Sequence, residues 1–531
     1  MVLSARLRSV VPAAWRGRTI DYNWVILLGL TLPAWAPLTY PGFVQVHQGF
    51  LPIYQLHDLA AHPAWGWLPT VGLPADLWRG AGPLPYLLSW PLLPLGGLTA
   101  IKVLLALALI VGPLALYGVL RRWWGTGPAL VAALLYAYLP FNLTNVYVRG
   151  AYTEAVLWAL APLLLWWGDL GGERGRGWGW PIAAAVVAAA MVWVQAGLAL
   201  VVAPVVVLAL WLARPAVAGR ALTAQRRPWW PLIILLGAVV GLGLRLAWNG
   251  SQAASVVDFM AHRVELFQLF AVGQGFGVSA PGWQDTLSFQ VGLAAAGIAL
   301  LAVLPPPAGP QRRPLVFWGL IVLLAVLGAL LPLPLGGLLT YPWQVLGLAG
   351  LGLCILAAAG LARYPALTHW PALSALAATA VLAGYAYLAP HYTAVQPGAA
   401  PVAIFGGYDR GIVLIDDTTR GTLTPGSVIS TTLTWQALQP PDFDYNLFLH
   451  LVDDRGQRWG QTDQQPAGER PMTGWAVGEV ITGTVGLTVD PATPSGTPLR
   501  LVLGLYNWQT GQRLPADAGD QVTVVEGVVG Q

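Results

Sequence analysis

"GPALVAALLYAYLPFNLTNVYVRGAYTEAVLWALAPLLLWW", residues 127–167, decides how the chain is read. Two apolar runs flank a short polar interval that gathers Asn142, Thr144, Asn145, Arg149, Thr153 and Glu154. In one continuous helix Arg149 and Glu154 would stand five residues and about 140° apart, so they can meet only if the chain turns between them. Gly150 permits that turn. The stretch therefore reads as a helical hairpin with a charged pair at its tip, next to a cavity that supplies the polar surroundings such groups need inside a bilayer.

The composition supports a membrane setting: 56% of the 531 residues are hydrophobic and 9% are charged, against roughly 25% charged in soluble domains. The length leaves room for a large membrane domain and a separate soluble one. The single cysteine, Cys354, lies in the apolar run "LGLCILAAAG" and excludes an intrachain disulfide or a cysteine zinc site. Residues 1–400 carry 20 Lys and Arg against 9 Asp and Glu, whereas residues 401–531 carry 7 against 14. The arginines punctuate the ends of hydrophobic segments, which is the pattern of membrane topology and not of nucleic-acid binding.

On a ruler of about 20 apolar residues per crossing, eleven spans fall near 24–41, 96–120, 127–147, 151–168, 180–196, 197–213, 230–248, 286–305, 315–333, 341–361 and 371–390. Residues 1–23 read as a cytoplasmic lead-in, with no apolar core of signal-peptide length. With that end inside, fifteen arginines, among them Arg121, Arg122, Arg226, Arg227, Arg312 and Arg313, face the cytoplasm. Only Arg79, Lys102, Arg149, Arg245 and Arg263 face the other side. Residues 180–213 reach about 51 Å as helix, short of the roughly 60 Å of two full crossings, so a hairpin of short helices with Gln195 at its tip is expected. The long outer loops, 42–95 and 249–285, are rich in Trp, Gly and Pro. In the first, "IYQLHDLAAH" suits a short surface helix, and in the second "SVVDFMAHRVELFQLF" suits an interfacial amphipathic helix.

From about residue 404 the period becomes two. "SVISTTLTW", "NLFLHLVDD", "EVITGTVGLTVD", "LRLVLGLYNW" and "QVTVVEGVV" are strand-like runs separated by turn sequences, with Leu499, Leu501, Leu503 and Leu505 on one face. The expected fold is an α-helical polytopic membrane domain over 24–390, a linker over 391–403 and an extracytoplasmic all-β sandwich over 404–531. Trp435, Trp459, Trp475, Tyr506 and Trp508 fit either its core or a sugar platform.

The stretch "YLPFNLTNVYVRGAYTEAVLWALAPLLLWW" resembles the signature of the bacterial membrane family related by name to 6-pyruvoyl-tetrahydropterin synthase, which is similar in layout to GT-C glycosyltransferases. The resemblance covers roughly residues 20–390 and rests on Tyr147, Arg149, Gly150, Glu154 and Pro162, with support from the first loop and "TYPWQVLGLAG". It implies a bacterial cytoplasmic membrane enzyme that moves a sugar from a polyprenyl-phosphate donor to a glycan, lipid or protein acceptor on the outer face. It also implies an acidic residue early in the first outer loop. Here His47 is followed by Gln48, which leaves Asp58 and Asp76 as the carboxylates of that loop, and Gln344 stands where an arginine is expected.

Sugar transfer with inversion needs a carboxylate to take the acceptor's proton and cations to hold the leaving phosphate. Asp58, Asp76 and Glu154 are the catalytic candidates. Arg149, His47, Gln48, Arg79, Lys102, Arg245 and Arg263 are the donor-binding candidates, the arginines because their paired N–H groups fit phosphate. Snorkelling to lipid headgroups is the plainer role for Arg79, Lys102, Arg245 and Arg263, and a structural hairpin clasp is the plainer role for Arg149 with Glu154. His47, His57, Asp58 and His62 could hold a divalent metal, though isolated loop histidines also serve simply as surface residues. A transporter or lipid flippase would explain the cavity and the broken helices, but no internal repeat of the transporter kind is present, and a non-catalytic envelope scaffold that displays the sandwich outside would explain the missing first-loop carboxylate.

Reporters fused after Arg122, Arg227 or Arg313 are expected to be cytoplasmic, and protease added to right-side-out spheroplasts to release the C-terminal region. Protection of that region until lysis would refute the orientation.

Overall fold

The computed structural model describes residues 21–44, 49, 52–53, 56, 82–172, 177–212, 229–248, 259–272, 275, 279–304, 306, 311–331, 338–392, 402–406, 411–437, 441–468, 470–475, 480–516 and 519–528. Its first part is helical: α1 (Asn23–Trp35), α2 (Leu84–Ser89), α3 (Gly97–Trp124), α4 (Thr126–Ala137), α5 (Pro140–Tyr147), α6 (Tyr152–Gly171), α7 (Gly179–Val194), α8 (Ala196–Leu212), α9 (Trp230–Trp248), α10 (Leu293–Val303), α11 (Arg312–Leu330), α12 (Leu346–Arg363) and α13 (Trp370–Tyr385). Helix stands at each of the eleven expected positions. Among the described residues, five helical segments are long and apolar enough to cross a membrane: Gly97–Trp124, Thr126–Tyr147, Arg312–Leu330, Pro342–Arg363 and Trp370–Leu388.

Charges fix one end of this region. Arg121 reaches Asp21 Oδ2 at 2.8 Å, where the Tyr117 hydroxyl also donates. Arg122 Nε and Trp123 Nε1 donate to the two oxygens of the buried Asp169 at 2.7 and 3.0 Å. The start of α1 and the ends of α3 and α6 are thereby tied together. At the opposite end Lys102 Nζ donates to the Tyr40 carbonyl at 2.5 Å, so α1 and α3 run antiparallel.

Local sequence explains the breaks. Pro140 lacks the N–H needed to continue α4 and starts α5 instead. The α7–α8 hairpin turns at Gln195, in an extended conformation and 4% exposed. Its arms of 16 and 17 residues are each shorter than a full crossing of about 20.

The second expected amphipathic helix does not form. The described part of that stretch is a turn at residues 259–262, an extended piece at 263–265 and a 3-10 turn at Leu266–Leu269. The backbone finds other partners: Val264 N–H donates to the Ala329 carbonyl at 2.9 Å, and Glu265 N–H to Gln268 Oε1 at 2.7 Å. Phe259, Val264 and Leu269 are buried, while Met260, Leu266, Phe267 and Phe270 are exposed.

The C-terminal region holds β1 (Ala403–Phe405), β2 (Ile412–Arg420), β3 (Val428–Ala437), β4 (Asn446–Asp453), β5 (Arg458–Gln464), β6 (Val480–Thr488), β7 (Pro498–Tyr506) and β8 (Val522–Val528). They form two four-stranded sheets, β1-β2-β3-β6 and β5-β4-β7-β8, with all pairings antiparallel. Alternation does the sorting: in β6, Ile481, Gly483, Val485 and Leu487 are buried and their neighbours exposed. Leu499, Leu501, Leu503 and Leu505 enter one core with residues of both sheets. Trp435 and Trp475 lie in that core, Trp459 packs against it and donates to Asp453 Oδ2 at 3.1 Å, and Trp508 is 54% exposed.

Residues 401–531 expressed alone are expected to melt cooperatively, with Leu503→Ala costing about 2–5 kcal/mol. An aggregated product without a cooperative transition would show that the sheets depend on the helical region.

Candidate functional site

The break between α5 and α6 builds the site. Val148 and Arg149 N–H groups both donate to the Thr144 carbonyl at 3.0 Å, closing α5. Gly150 then takes φ +56°, which a side chain disfavours by about 1–2 kcal/mol. Ala151 N–H turns back onto the Asn145 carbonyl at 2.7 Å. The reversal carries Glu154, in the first turn of α6, to Arg149.

The two side chains form a bidentate pair. Arg149 Nη1 donates to Glu154 Oε2 at 2.8 Å and Nη2 to Oε1 at 2.9 Å. Nη1 also donates to Asn145 Oδ1 at 2.5 Å. Arg149 is 3% exposed and Glu154 1%. Gln344 supplies a third donor to the carboxylate, Nε2 to Oε1 at 2.7 Å, while its own Oε1 accepts the Thr340 and Tyr341 N–H groups at 3.0 and 3.1 Å. The Arg149 guanidinium lies 4.3 Å from the centre of the fully buried Trp343 ring, a cation–π contact strengthened by burial. The Arg149 Nε–H is buried and unbonded among the described residues, as is the Asn145 amide nitrogen.

The pair is a meeting point. Phe43 and Val44, from the start of the first long connection, lie against Gly150. Trp343 stacks on Tyr341 at 4.7 Å and touches Phe141 and Phe289, the latter from the end of the second connection. Tyr147, beside the turn, donates to the Ala34 carbonyl at 2.5 Å.

The remaining candidates separate. None of Lys102, Arg245 and Arg263 bonds to Arg149 or Glu154. Lys102 sits over the Tyr392 ring at 4.9 Å, and Tyr392 in turn touches Phe43. Arg245 is 2% exposed and donates to the Val192 carbonyl at 2.5 Å, behind the α7–α8 tip. Arg263 is exposed, with Glu265 at 3.6 Å. His47, Gln48, Asp58, Asp76 and Arg79, with His57 and His62, lie outside the described residues; of the surface helix expected over 53–62, only Ile53 and Leu56 are described, both helical and buried. Among the described residues no three His, Cys, Asp or Glu side chains are grouped to hold a metal.

Of the polar residues at the tip, Thr144, Asn145, Arg149, Thr153 and Glu154 are all buried and Asn142 is partly exposed, with Asn145, Arg149 and Glu154 bonded to one another. Two partners were not foreseen. Gln344 and Trp343 come from 190 residues along the chain, and their only signal was a polar and aromatic cluster, "TYPWQ", just before an apolar run. A second group, His262, Ser279 and Asp285, is linked in the second connection, with His262 edge-on to Tyr341 at 5.1 Å.

Residues 81–248 match the model of the 6-pyruvoyl-tetrahydropterin synthase related domain, described as a membrane protein. No curated protein matches the chain. Among solved structures, the chain is similar to ArnT from Cupriavidus metallidurans bound to undecaprenyl phosphate, at 17% identity and TM-score 0.39, covering 65% of this chain and 61% of that one. The apo state of the same protein gives 16% identity, TM-score 0.39 and coverage of 65% and 60%. The Archaeoglobus fulgidus oligosaccharyltransferase, in complex with zinc and sulfate, gives 13% identity, TM-score 0.38 and coverage of 70% and 54%. The chain thus spans about 54–61% of the length of these structures.

Glu154→Ala leaves a buried guanidinium without its counter-ion and should cost about 3–5 kcal/mol. Gly150→Ala should cost about 1–2 kcal/mol through its φ alone. Unfolding in bicelles measures both, and an unchanged midpoint for Glu154→Ala would contradict a stabilising role for the pair.

Proposed function

We propose that this chain is a membrane glycosyltransferase that moves a sugar from a polyprenyl-phosphate donor to a cell-envelope glycan, lipid or protein on the outer face of a bacterial cytoplasmic membrane. In this reading the helical region crosses the membrane eleven times with residue 1 inside, and the two sheets form a sandwich outside. The observation that carries the reading is the unbonded Arg149 Nε–H. A buried donor on a cation calls for an acceptor oxygen, and this one sits where both long connections and the 338–345 segment converge. A lipid-linked phosphate is such an acceptor, anionic and delivered from the bilayer.

Glu154 holds the guanidinium in a fixed plane, and Trp343 limits its swing. With its Nε–H presented in advance, Arg149 would stabilise charge on the leaving phosphate without reorganising as the bond breaks. Lys102, packed on Tyr392 across Phe43, would add a point charge nearby. Asp58, Asp76, His47, Gln48 and Arg79 would bring acceptor contacts from the first connection, with any divalent metal held there. The burial of the pair and the three donors on Glu154 favour a second reading, in which the pair only clasps the hairpin of a non-catalytic scaffold.

The readings part in one assay. Purified protein in nanodiscs, given a polyprenyl-phosphate hexose and an envelope glycan fraction, should bind the donor and release polyprenyl phosphate. Arg149→Lys, which loses the planar fork, and Glu154→Gln should stay folded and weaken binding or turnover by roughly tenfold or more, since each alters a charge-assisted hydrogen bond of about 1.5–3 kcal/mol. Full activity in both folded variants would leave the pair only a clasp within a transferase, and an unaltered protein that neither binds donor nor releases polyprenyl phosphate would leave the scaffold.

A further inference from the structure

The β region turns one large aromatic side chain outward. Of its five aromatic candidates, Trp435 and Trp475 are buried in the core, Trp459 is bonded to Asp453, and Tyr506 packs on Phe448. Trp508 stays open. Among the described residues of 402–528, Val428 and Val480 are the other large apolar side chains left exposed, so Trp508 is the one exposed aromatic ring.

The turn that carries Trp508 is held by its own bonds. Asn507 Oδ1 accepts the Gln509 and Thr510 N–H groups at 2.9 and 3.2 Å, Gly511 N–H donates to the Asn507 carbonyl at 2.8 Å, and Asn507 N–H donates to the Gln512 carbonyl at 2.8 Å. Phe443 backs the indole, with ring centres 6.1 Å apart and planes at 37°, and itself meets the Tyr445 ring edge-on at 5.4 Å. Tyr445 is buried, and its hydroxyl donates to Asp442 Oδ1 at 2.9 Å. The indole is thus placed before anything binds, which spares much of the entropy of ordering it.

The surroundings select the occupant. Gln509 and Thr510, beside Trp508 in the turn, are exposed, and each carries both a donor and an acceptor. The segment that backs the ring contains Asp442 and Asp444, and residues 401–531 carry 7 Lys and Arg against 14 Asp and Glu. Attachment to anionic lipid draws on basic side chains, so this charge opposes it. A stable protein interface needs about 1,000 Å² of contact with an apolar centre, whereas here a single ring stands among polar side chains. A pyranose matches that layout: its C–H face lies on the electron-rich face of the indole, and the hydroxyls at its edge reach the polar groups around it.

We infer that Trp508 is the platform of a carbohydrate-binding site that takes a neutral or N-acetylated hexose residue of a glycan. Asp442 and Asp444 set the local field against uronate- or phosphate-bearing sugars. Binding here breaks no bond and needs no lipid-linked donor, so the site stands apart from the Arg149 pair and from sugar transfer.

The test uses the full chain in nanodiscs, without donor, on immobilised neutral, N-acetylated and uronate-bearing oligosaccharides. Neutral or N-acetylated chains should bind and uronate-bearing ones should not. Trp508→Ala should weaken binding about tenfold or more, the worth of one ring contact, while Trp508→Tyr keeps most of it and neither change moves the melting midpoint. In protein labelled with 5-fluorotryptophan, the resonance missing from Trp508→Tyr should shift when the bound oligosaccharide is added. Equal binding by Trp508→Ala, no binding of neutral or N-acetylated chains, or broadening of that resonance by spin-labelled lipid in place of a shift by sugar overturns the site. Any of these leaves the transferase reading standing, and an unaltered protein that binds glycan but releases no polyprenyl phosphate overturns transfer alone.

Discussion

An ion pair sealed inside a membrane-like helical region sets the terms for everything around it. Arg149 and Glu154 are almost completely removed from solvent. An unpaired charge at that depth costs about 2.5–3.5 kcal/mol on insertion scales, so the two must meet, and in the bidentate geometry that recovers most from a low dielectric. A continuous helix cannot bring them together. The reversal at Gly150 follows from that requirement, and so do the packing of Phe43 on the turn and the approach of Gln344 to the second lone pair of Oε1.

The same constraint explains why distant segments converge here. Gln344 accepts two backbone N–H groups of its own segment while donating to Glu154, so the 338–345 piece is registered on the pair from both sides of one amide. Trp343 then carries the registration to Phe141, Phe289 and Tyr341. At the other end of the helices Asp21 and Asp169 do comparable work with Arg121 and Arg122. The few charges of an apolar chain thus pin the two ends of the bundle.

Much of this was legible in the sequence because it depends on local period and reach. Apolar run lengths placed the helices, the shortfall of residues 180–213 placed the turn at Gln195, and alternation placed Leu499, Leu501, Leu503 and Leu505 in the β core. The meeting of Arg149 with Glu154 followed from their spacing once Gly150 was read as a turn. What failed was the amphipathic helix across residues 256–269. Its apolar pattern is real, but Val264 N–H finds the Ala329 carbonyl and Gln268 caps Glu265, long-range and side-chain competitors that periodicity does not register. Gln344, the partner of Glu154, was illegible for the same reason: it read as a departure from an expected arginine, whereas its amide completes the carboxylate's shell. The His262–Ser279–Asp285 chain joins residues up to 23 apart in an irregular segment, where no period exists to be read.

The most direct test of the account is a double-mutant cycle on Arg149→Met and Glu154→Leu, followed by equilibrium unfolding in bicelles. If the pair is the constraint on which the site depends, each single change is costly, the double change recovers much of the loss, and the coupling energy is about 2–3 kcal/mol, the upper range for residues in contact. Additive effects, with coupling no larger than the roughly 0.5 kcal/mol of independent sites, would contradict it.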